Sequence, residues 1–181
     1  MRGVADASGG MNVIRVVQCP IVHGAAAARR LGLLASLRLT PAIAEDLLRV
    51  VLRRGRRYVP IVGPPGAFAM VTVAGAETGW NSSVPPGGRF DNRIAAADAV
   101  AMVMTSAMRD ARHVDAPLLV CVCDRENLMD PAYAALVAHR APRGVATHYD
   151  SDHFAIYHPP LVTAVLADQT AFLQEHFGVD A

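Results

Sequence analysis

The segment Pro117-Leu118-Leu119-Val120-Cys121-Val122-Cys123 constrains the fold more than any other part of this sequence. It has no charged or amide side chain, so a strand built from it is apolar on both faces. Such a strand has to be covered on both faces, as strands inside parallel sheets are. Alternate strand residues face opposite sides, which places Cys121 and Cys123 on one face and Val122 on the other. The pattern predicts a buried parallel strand over 117–123.

Two other segments predict strands, and helical patterns separate all three. A β-branched run at 13–19 ends at Pro20, and a second strand pattern covers Gly144–Tyr149. The helical patterns lie at about 25–39, 42–54, 91–112, 131–139 and 159–177. Alternating strands and helices favour an α/β fold with right-handed crossovers. The sequence thus predicts three parallel strands (13–19, 117–123 and 144–149) with flanking helices.

Two helix starts carry specific signals. Thr40-Pro41 has the form of an N-cap followed by proline at the first helical position, and Asp91 has the form of an N-cap for the helix to about Arg112. The helix after Pro41 is expected to bury one apolar stripe: Ile43, Leu47, Val50 and Val51. Between these helices, 58–91 is rich in Pro and Gly and is predicted to be a largely irregular excursion.

Composition and charge exclude several classes of protein. Although 52% of the residues are hydrophobic, no apolar stretch reaches the ~18 to 20 residues that cross a bilayer. The first 12 residues lack the apolar core of a signal peptide and are expected to be flexible. We therefore expect a cytoplasmic protein with no membrane partner. Arg53–Arg57 is the only basic cluster, and without interleaved aromatic residues it predicts no nucleic-acid partner.

The cysteines and histidines predict no metal, cofactor or disulfide framework. Three cysteines, two of them in a C-x-C inside a strand, suit neither a disulfide set nor a zinc site, and buried inert thiols are expected at Cys19, Cys121 and Cys123. His23 is expected to be an ordinary loop residue. The other histidines outside the strand-end loops show no metal-ligand spacing: His113, His139, His148, His158 and His176.

Ionisable residues follow two of the predicted strands. The strand at 117–123 is followed by Asp124-Arg125-Glu126-Asn127, and the strand at 144–149 is followed by Asp150-Ser151-Asp152-His153. The carboxyl ends of adjacent parallel strands lie at one edge of a sheet. A carboxylate there can accept the Nδ1–H of an imidazole, so that Nε2 serves as a general base. From spacing alone, solvated loop charges and a turn histidine are an equally open interpretation.

The same residues carry a resemblance to a known family. "PLLVCVCDRENLMDP" resembles the penultimate strand and acid loop of bacterial α/β-hydrolases of the esterase and dienelactone-hydrolase type, and "HYDSDHFAIY" resembles their last strand and histidine loop. "VVQCP", "YVPIVGPPG" and "ADQTAFLQEHF" are similar to further stretches, so the resemblance covers nearly the whole chain. It implies Glu126 as the acid and His153 as the catalytic histidine, with Asp124 as an alternative acid because the family more often has Asp. It also implies a helical cap insertion at about 20–113.

A nucleophile is the missing part of this resemblance. The family places Ser, Cys or Asp on a sharp strand–turn–helix elbow. The only similar segment is Asp6-Ala7-Ser8-Gly9-Gly10, and the four residues between Ser8 and Val13 cannot hold a crossover, which needs about a dozen. Cys19 precedes a proline, Ser82 and Ser83 lie in the excursion and Ser106 is expected mid-helix. Ser8 is thus not expected to act as the nucleophile, and we find none.

The resemblance therefore implies the C-terminal half of an α/β-hydrolase, an incomplete fold. Its chemistry would be that of a serine hydrolase acting on a carboxylic ester or related small acyl substrate, inactive without a nucleophile from elsewhere. The alternative is a non-catalytic, hydrolase-derived binding or oligomerisation module. In an incomplete fold of this kind, strand 13–19 would present an unpaired edge, from which self-association is expected.

Overall fold

The computed structural model describes residues 13–178, without the side chains of 33–35. The predicted flexible segment 1–12, with Ser8, lies outside the described residues. The strands are β1 (Arg15–Gln18), β2 (Tyr58–Val59), β3 (Ile94–Ala95), β4 (Leu118–Cys123) and β5 (Gly144–Tyr149). The helices are α1 (Gly24–Leu31), α2 (Leu33–Val51), α3 (Ala76–Ser82), α4 (Asp98–Met104), α5 (Pro131–Arg140) and α6 (Leu161–Phe177), with 3₁₀ turns at Asp110–His113 and Ala155–Tyr157.

A three-stranded parallel sheet in the order β1-β4-β5 confirms the predicted α/β fold class. All six residues of β4 are buried. Val120 and Val122 pack into a cluster with Val137 of α5, whereas Cys121 and Cys123 pack on the opposite face with residues of α6. The predicted alternation along β4 is thus confirmed, and α5 and α6 cover the two faces of the sheet.

Helix α2 does not begin at Pro41, and the predicted boundary there is wrong. The helix runs through Pro41, and the Thr40 hydroxyl donates to the carbonyl oxygen of Ser36 at 3.2 Å instead of capping a new helix. Proline removes one backbone donor, but its fixed φ is close to the helical value. The preceding turns of α2 therefore override the start signal.

The predicted buried stripe of α2 is also wrong. Leu47, Val50 and Val51 are exposed, and the completely buried residue on this stretch is Asp46. Its carboxylate accepts bonds from the Arg56 guanidinium (2.8–3.1 Å), the Arg57 amide (2.6 Å) and the Ala97 amide (2.9 Å). The hydrogen bonds from Arg56 hold the pKa of Asp46 well below its usual range.

Arg56 extends this buried network to another helix. Its guanidinium also pairs with Asp98 at the start of α4, at 2.8 Å. One arginine of the basic cluster thus ties α2 to α4. This role was not visible in the sequence, because the two carboxylates lie 10 and 42 residues away from Arg56.

The predicted single helix over 91–112 is wrong. The side-chain oxygen of Asn92 accepts hydrogen bonds from the backbone amides of Ile61 and Val62, and its side-chain nitrogen donates to the Val62 carbonyl oxygen, each at 2.9 Å. These bonds hold the chain extended, and β3 pairs antiparallel with β2. Only the short α4 and a 3₁₀ turn form here, and Ser106 lies after α4 instead of within a helix.

The excursion at 58–91 is mostly irregular but contains β2 and α3. Helix α3 carries Trp80 and packs beside Phe154, at the sheet edge where β5 ends. Within residues 13–178, no helix has both the length and the hydrophobicity that crossing a membrane requires.

Candidate functional site

Glu126 is a buried carboxylate in the turn after β4. Its amide donates to the Cys123 carbonyl oxygen at 3.1 Å, which turns the chain back at the strand end. Its Oε1 accepts from the Leu128 amide at 2.9 Å, and only 6% of the residue is exposed. A carboxylate this deeply buried needs partners for both oxygens.

His153 stands in the loop after β5. Asp152 Oδ1 accepts from the amides of Phe154 and Ala155, both at 2.9 Å, and so fixes the turn that begins at the histidine. The imidazole contacts the Phe154 ring edge-on, with centroids 5.0 Å apart, and lies near Tyr157. It is mostly buried but not closed to solvent.

The structure brings Glu126 and His153 together. Nδ1 of His153 lies 2.8 Å from Oε2 of Glu126. The two loops are fastened to each other by the Arg125 amide, which donates to the Ser151 carbonyl oxygen, and the Asp124 amide, which donates to that of Tyr149. With the proton on Nδ1, the carboxylate holds the tautomer in which Nε2 accepts a proton. A carboxylate and an imidazole in this contact can carry out acid–base chemistry.

Asp124, the alternative acid, lies elsewhere. Its Oδ1 is 2.7 Å from Nδ1 of His148, and both side chains are about half exposed. The structure therefore does not join Asp124 to His153. His148 is exposed on strand β5, and its imidazole is therefore available to hydrogen-bond the Asp124 carboxylate.

The prediction of three inert thiols is wrong for two of the cysteines. Cys19 and Cys123, at the ends of the adjacent strands β1 and β4, form a disulfide, with their Cα atoms 5.9 Å apart. Cys121 is a buried free thiol, and burial raises its pKa. The disulfide lies beside the site, since both sulfurs and a Glu126 carboxylate oxygen are within 4.8 Å of one another. The pairing follows from the strand register, which the sequence pattern does not supply.

An open cavity of about 350 Å³ adjoins the histidine loop. It is lined by Ser82, Ser83, Val84, Pro85, Pro86, Tyr157 and His158. Ser82 Oγ lies 3.0 Å from Nε2 of His158 and donates to the Gly79 carbonyl oxygen at 2.7 Å. The sequence predicts no role for either residue, because no local signal joins positions 76 residues apart.

Tyr157 connects this cavity to the Glu126–His153 pair. Its ring lines the cavity and lies near the imidazole. Burial and, after it, the negative charge of Glu126 raise the pKa of the Tyr157 phenol. The phenol is therefore harder to deprotonate than that of a free tyrosine.

The described residues contain no nucleophile elbow. Cys19 alone ends a sheet strand and has a positive φ, of 44°. However, its sulfur is held in the disulfide, and Pro20 to His23 separate it from α1. Cys19 therefore does not have the sharp strand–turn–helix geometry of a hydrolase nucleophile.

Sequence comparison relates this chain to a curated protein but to no family profile. The quorum-quenching protein AidA of Acinetobacter baumannii (strain MDR-ZJ06) is 26% identical over 159 residues, which are 88% of this chain and 52% of AidA. The chain thus spans about half the length of this curated relative.

Solved structures show the same fold and the same partial coverage. The α/β-hydrolase GrgF of Penicillium sp. sh18 superposes with a TM-score of 0.66 at 12% identity, over 89% of this chain and 54% of GrgF. DcsB, solved with a substrate analogue, gives 0.63 at 14% identity, over 90% of this chain and 56% of DcsB. The resemblance to the α/β-hydrolases is thereby confirmed at the level of the fold.

Proposed function

We propose that this chain supplies the acid and the histidine of a serine-hydrolase-type site that cleaves a carboxylic ester or a related acyl bond. The observation that supports it is the 2.8 Å contact between the buried Glu126 and His153, at the carboxyl ends of adjacent parallel strands. The nucleophile comes from outside residues 13–178, either from an adjoining segment or from another chain.

In this proposal the two residues divide the proton chemistry. His153 Nε2 takes the proton of the nucleophile as its oxygen attacks the acyl carbonyl, and then donates it to the leaving alcohol. Water hydrolyses the acyl intermediate by the same two proton transfers. Glu126 holds the imidazole in position and stabilises its positive charge during both steps.

The cavity and the relative both support a small-molecule substrate. A volume of about 350 Å³ admits a small molecule, and its wall offers Val84, Pro85 and Pro86 beside the polar groups of Tyr157 and His158. Because AidA is named as a quorum-quenching protein, small signal molecules with an ester or lactone bond join the candidate substrates.

The test measures hydrolysis of p-nitrophenyl esters by the purified chain, alone and together with any segment encoded upstream that contains an elbow serine. We expect no turnover alone. The combined protein should be active, with kcat lowered roughly 10⁴-fold by Glu126→Gln, as for loss of the orienting carboxylate in a triad. Asp124→Asn is the matched control and should leave kcat unchanged. Turnover by the chain alone that is lost in Ser8→Ala would contradict the proposal.

A second candidate, a non-catalytic binding or oligomerisation module, is favoured by exposed apolar residues. Val51 is 77% exposed and Met104 is 79% exposed, and Leu48 adds to the apolar surface of α2. Large apolar side chains that stay exposed in this way are candidates for contact with a partner. Among the described residues, β1 also pairs on one side only. Size-exclusion chromatography with light scattering tests the oligomerisation form of this candidate, which predicts a dimer or larger species and is contradicted by a stable monomer.

A further inference from the structure

Three buried groups that can bind a metal ion meet where β1 and β4 end. They are the sulfurs of Cys19 and Cys123 and the carboxylate of Glu126. One ligand atom from each lies within 4.8 Å of the other two, and none of the three residues is more than 6% exposed. In the disulfide form the two sulfurs are bonded to each other. After reduction, two thiols and a carboxylate face the same small volume.

We propose that the reduced chain binds one thiophilic divalent cation, of the Zn²⁺ class, through Cys19, Cys123 and Glu126. Two thiolates and a carboxylate are a ligand set that zinc accepts, and its tetrahedral preference leaves a fourth position for water or another donor. The two sulfurs select against hard cations such as Mg²⁺ and Ca²⁺, which prefer oxygen ligands.

The backbone fixes the positions of the three ligands. Cys19 has a φ of 44°, which is uncommon for a residue other than glycine. Its amide donates to the Cys121 carbonyl oxygen at 3.0 Å, which ties the end of β1 to β4. The Glu126 amide bonds to the Cys123 carbonyl oxygen in the same way. All three ligands are therefore anchored to the end of one sheet, and reduction leaves these anchors in place.

The redox step balances with an ordinary dithiol as reductant. The dithiol passes two electrons and two protons to the Cys19–Cys123 disulfide, which becomes two thiols, and is itself oxidised to a disulfide. Zn²⁺ then displaces the two thiol protons and gains the Glu126 carboxylate as a third ligand. A disulfide offers no thiolate, so the oxidised chain lacks two of the three ligands. Metal binding at this position therefore depends on reduction.

Occupation of this site would also affect the Glu126–His153 pair. Glu126 Oε2 lies 2.8 Å from His153 Nδ1, and a bound cation neutralises the charge that this imidazole needs. This consequence rests on the proposed hydrolase function: the zinc-bound form would be a poor catalyst, and removal of the metal would restore activity. The binding itself does not depend on that function.

The experiment measures metal binding by the full chain without any substrate. The protein is treated with a phosphine reductant, loaded with Zn²⁺, dialysed and analysed for zinc, and in parallel titrated with Co²⁺. We expect one zinc per reduced chain, none per oxidised chain, and a thiolate-to-cobalt charge-transfer band. Cys19→Ser and Cys123→Ser should abolish the band, and Glu126→Gln should weaken binding. Cys121→Ser, a buried thiol on the same strand, is the matched control and should bind normally.

Circular dichroism keeps the result interpretable if reduction unfolds the chain. In that case, addition of Zn²⁺ should restore the helical signal of the natural sequence but not of Cys19→Ser. The proposal is overturned if the reduced chain binds no zinc, if binding survives loss of either cysteine, or if Glu126→Gln has no effect. Since no ester is present, a failed metal site and a failed hydrolase give different results.

Discussion

At the scale of single residues, the site depends on which carboxylate meets which imidazole. Glu126 is buried and shares its two oxygens between a backbone amide and His153, whereas Asp124 is exposed and bonds to His148. Spacing alone did not separate the two carboxylates, whereas the family resemblance implied Glu126 as the acid and Asp124 as the alternative. Burial distinguishes the two pairs, because the buried Glu126–His153 pair competes less with water for its hydrogen bond than the exposed Asp124–His148 pair does.

Asp152 controls the loop that holds the histidine. Asp152→Ala removes the acceptor for two backbone amides and is expected to lower the free energy of unfolding by about 1 kcal/mol, as for loss of a cap. Asp152→Asn keeps an oxygen in the same place and should retain most of the stability. Urea denaturation of the three proteins measures the difference, and equal losses in both variants would contradict this role.

At the scale of elements, α3 packs closely against the histidine loop. A Cβ added at Gly79 would collide with the ring of Phe154, the neighbour of His153. Trp80, the only tryptophan, packs against the same ring with centroids 6.2 Å apart. The position of α3 is thus coupled to the site and can be followed by tryptophan fluorescence.

Gly79→Ala is expected to push α3 away from Phe154. The free energy of unfolding should fall by about 1–3 kcal/mol, the usual cost of overpacking, and Trp80 emission should shift to the red. Thr78→Ala, an exposed position on the same helix, is the control and should leave the emission unchanged. An unshifted spectrum in Gly79→Ala would show that α3 does not depend on this contact.

The network around Asp46 predicts a pH dependence of stability. The Arg56 guanidinium lowers the pKa of Asp46 in the folded chain, so its contribution is complete above the ordinary carboxyl pKa and is lost as the pH falls through the folded-state value. Asp46→Asn should therefore lower the Tm at neutral pH and flatten the fall of Tm below about pH 4. Glu45→Gln, an exposed neighbour in a surface ion pair, should change neither. Thermal melts across the pH range decide between these outcomes.

At the scale of the whole molecule, the sheet was predictable and the segment between β1 and β4 was much less so. The apolar pattern of β4 requires cover on both faces, and this requirement alone indicates a parallel sheet with helices on either side. The burial of Asp46, the path of α2 through Pro41 and the Ser82–His158 contact depend on partners distant in sequence. The Cys19–Cys123 disulfide likewise depends on strand register. Local patterns carry no information about such pairs.

The chain matches about half the length of its relatives, yet its three sheet strands are hydrogen-bonded to one another. β4 has partners on both sides, and the loops after β4 and β5 are joined by backbone hydrogen bonds. The Glu126–His153 pair is therefore assembled within the described residues and does not need the nucleophile to form. Its geometry can be measured in the chain by itself.

Proton NMR of the His153 imidazole tests this central claim most directly. A Nδ1–H that donates to a buried carboxylate gives a resonance at unusually low field, which exchanges slowly with water. We expect this resonance in the natural sequence and in Asp124→Asn, and its loss in Glu126→Gln. A resonance that persists in Glu126→Gln, or that disappears in Asp124→Asn, would contradict the assignment of Glu126 as the partner of His153.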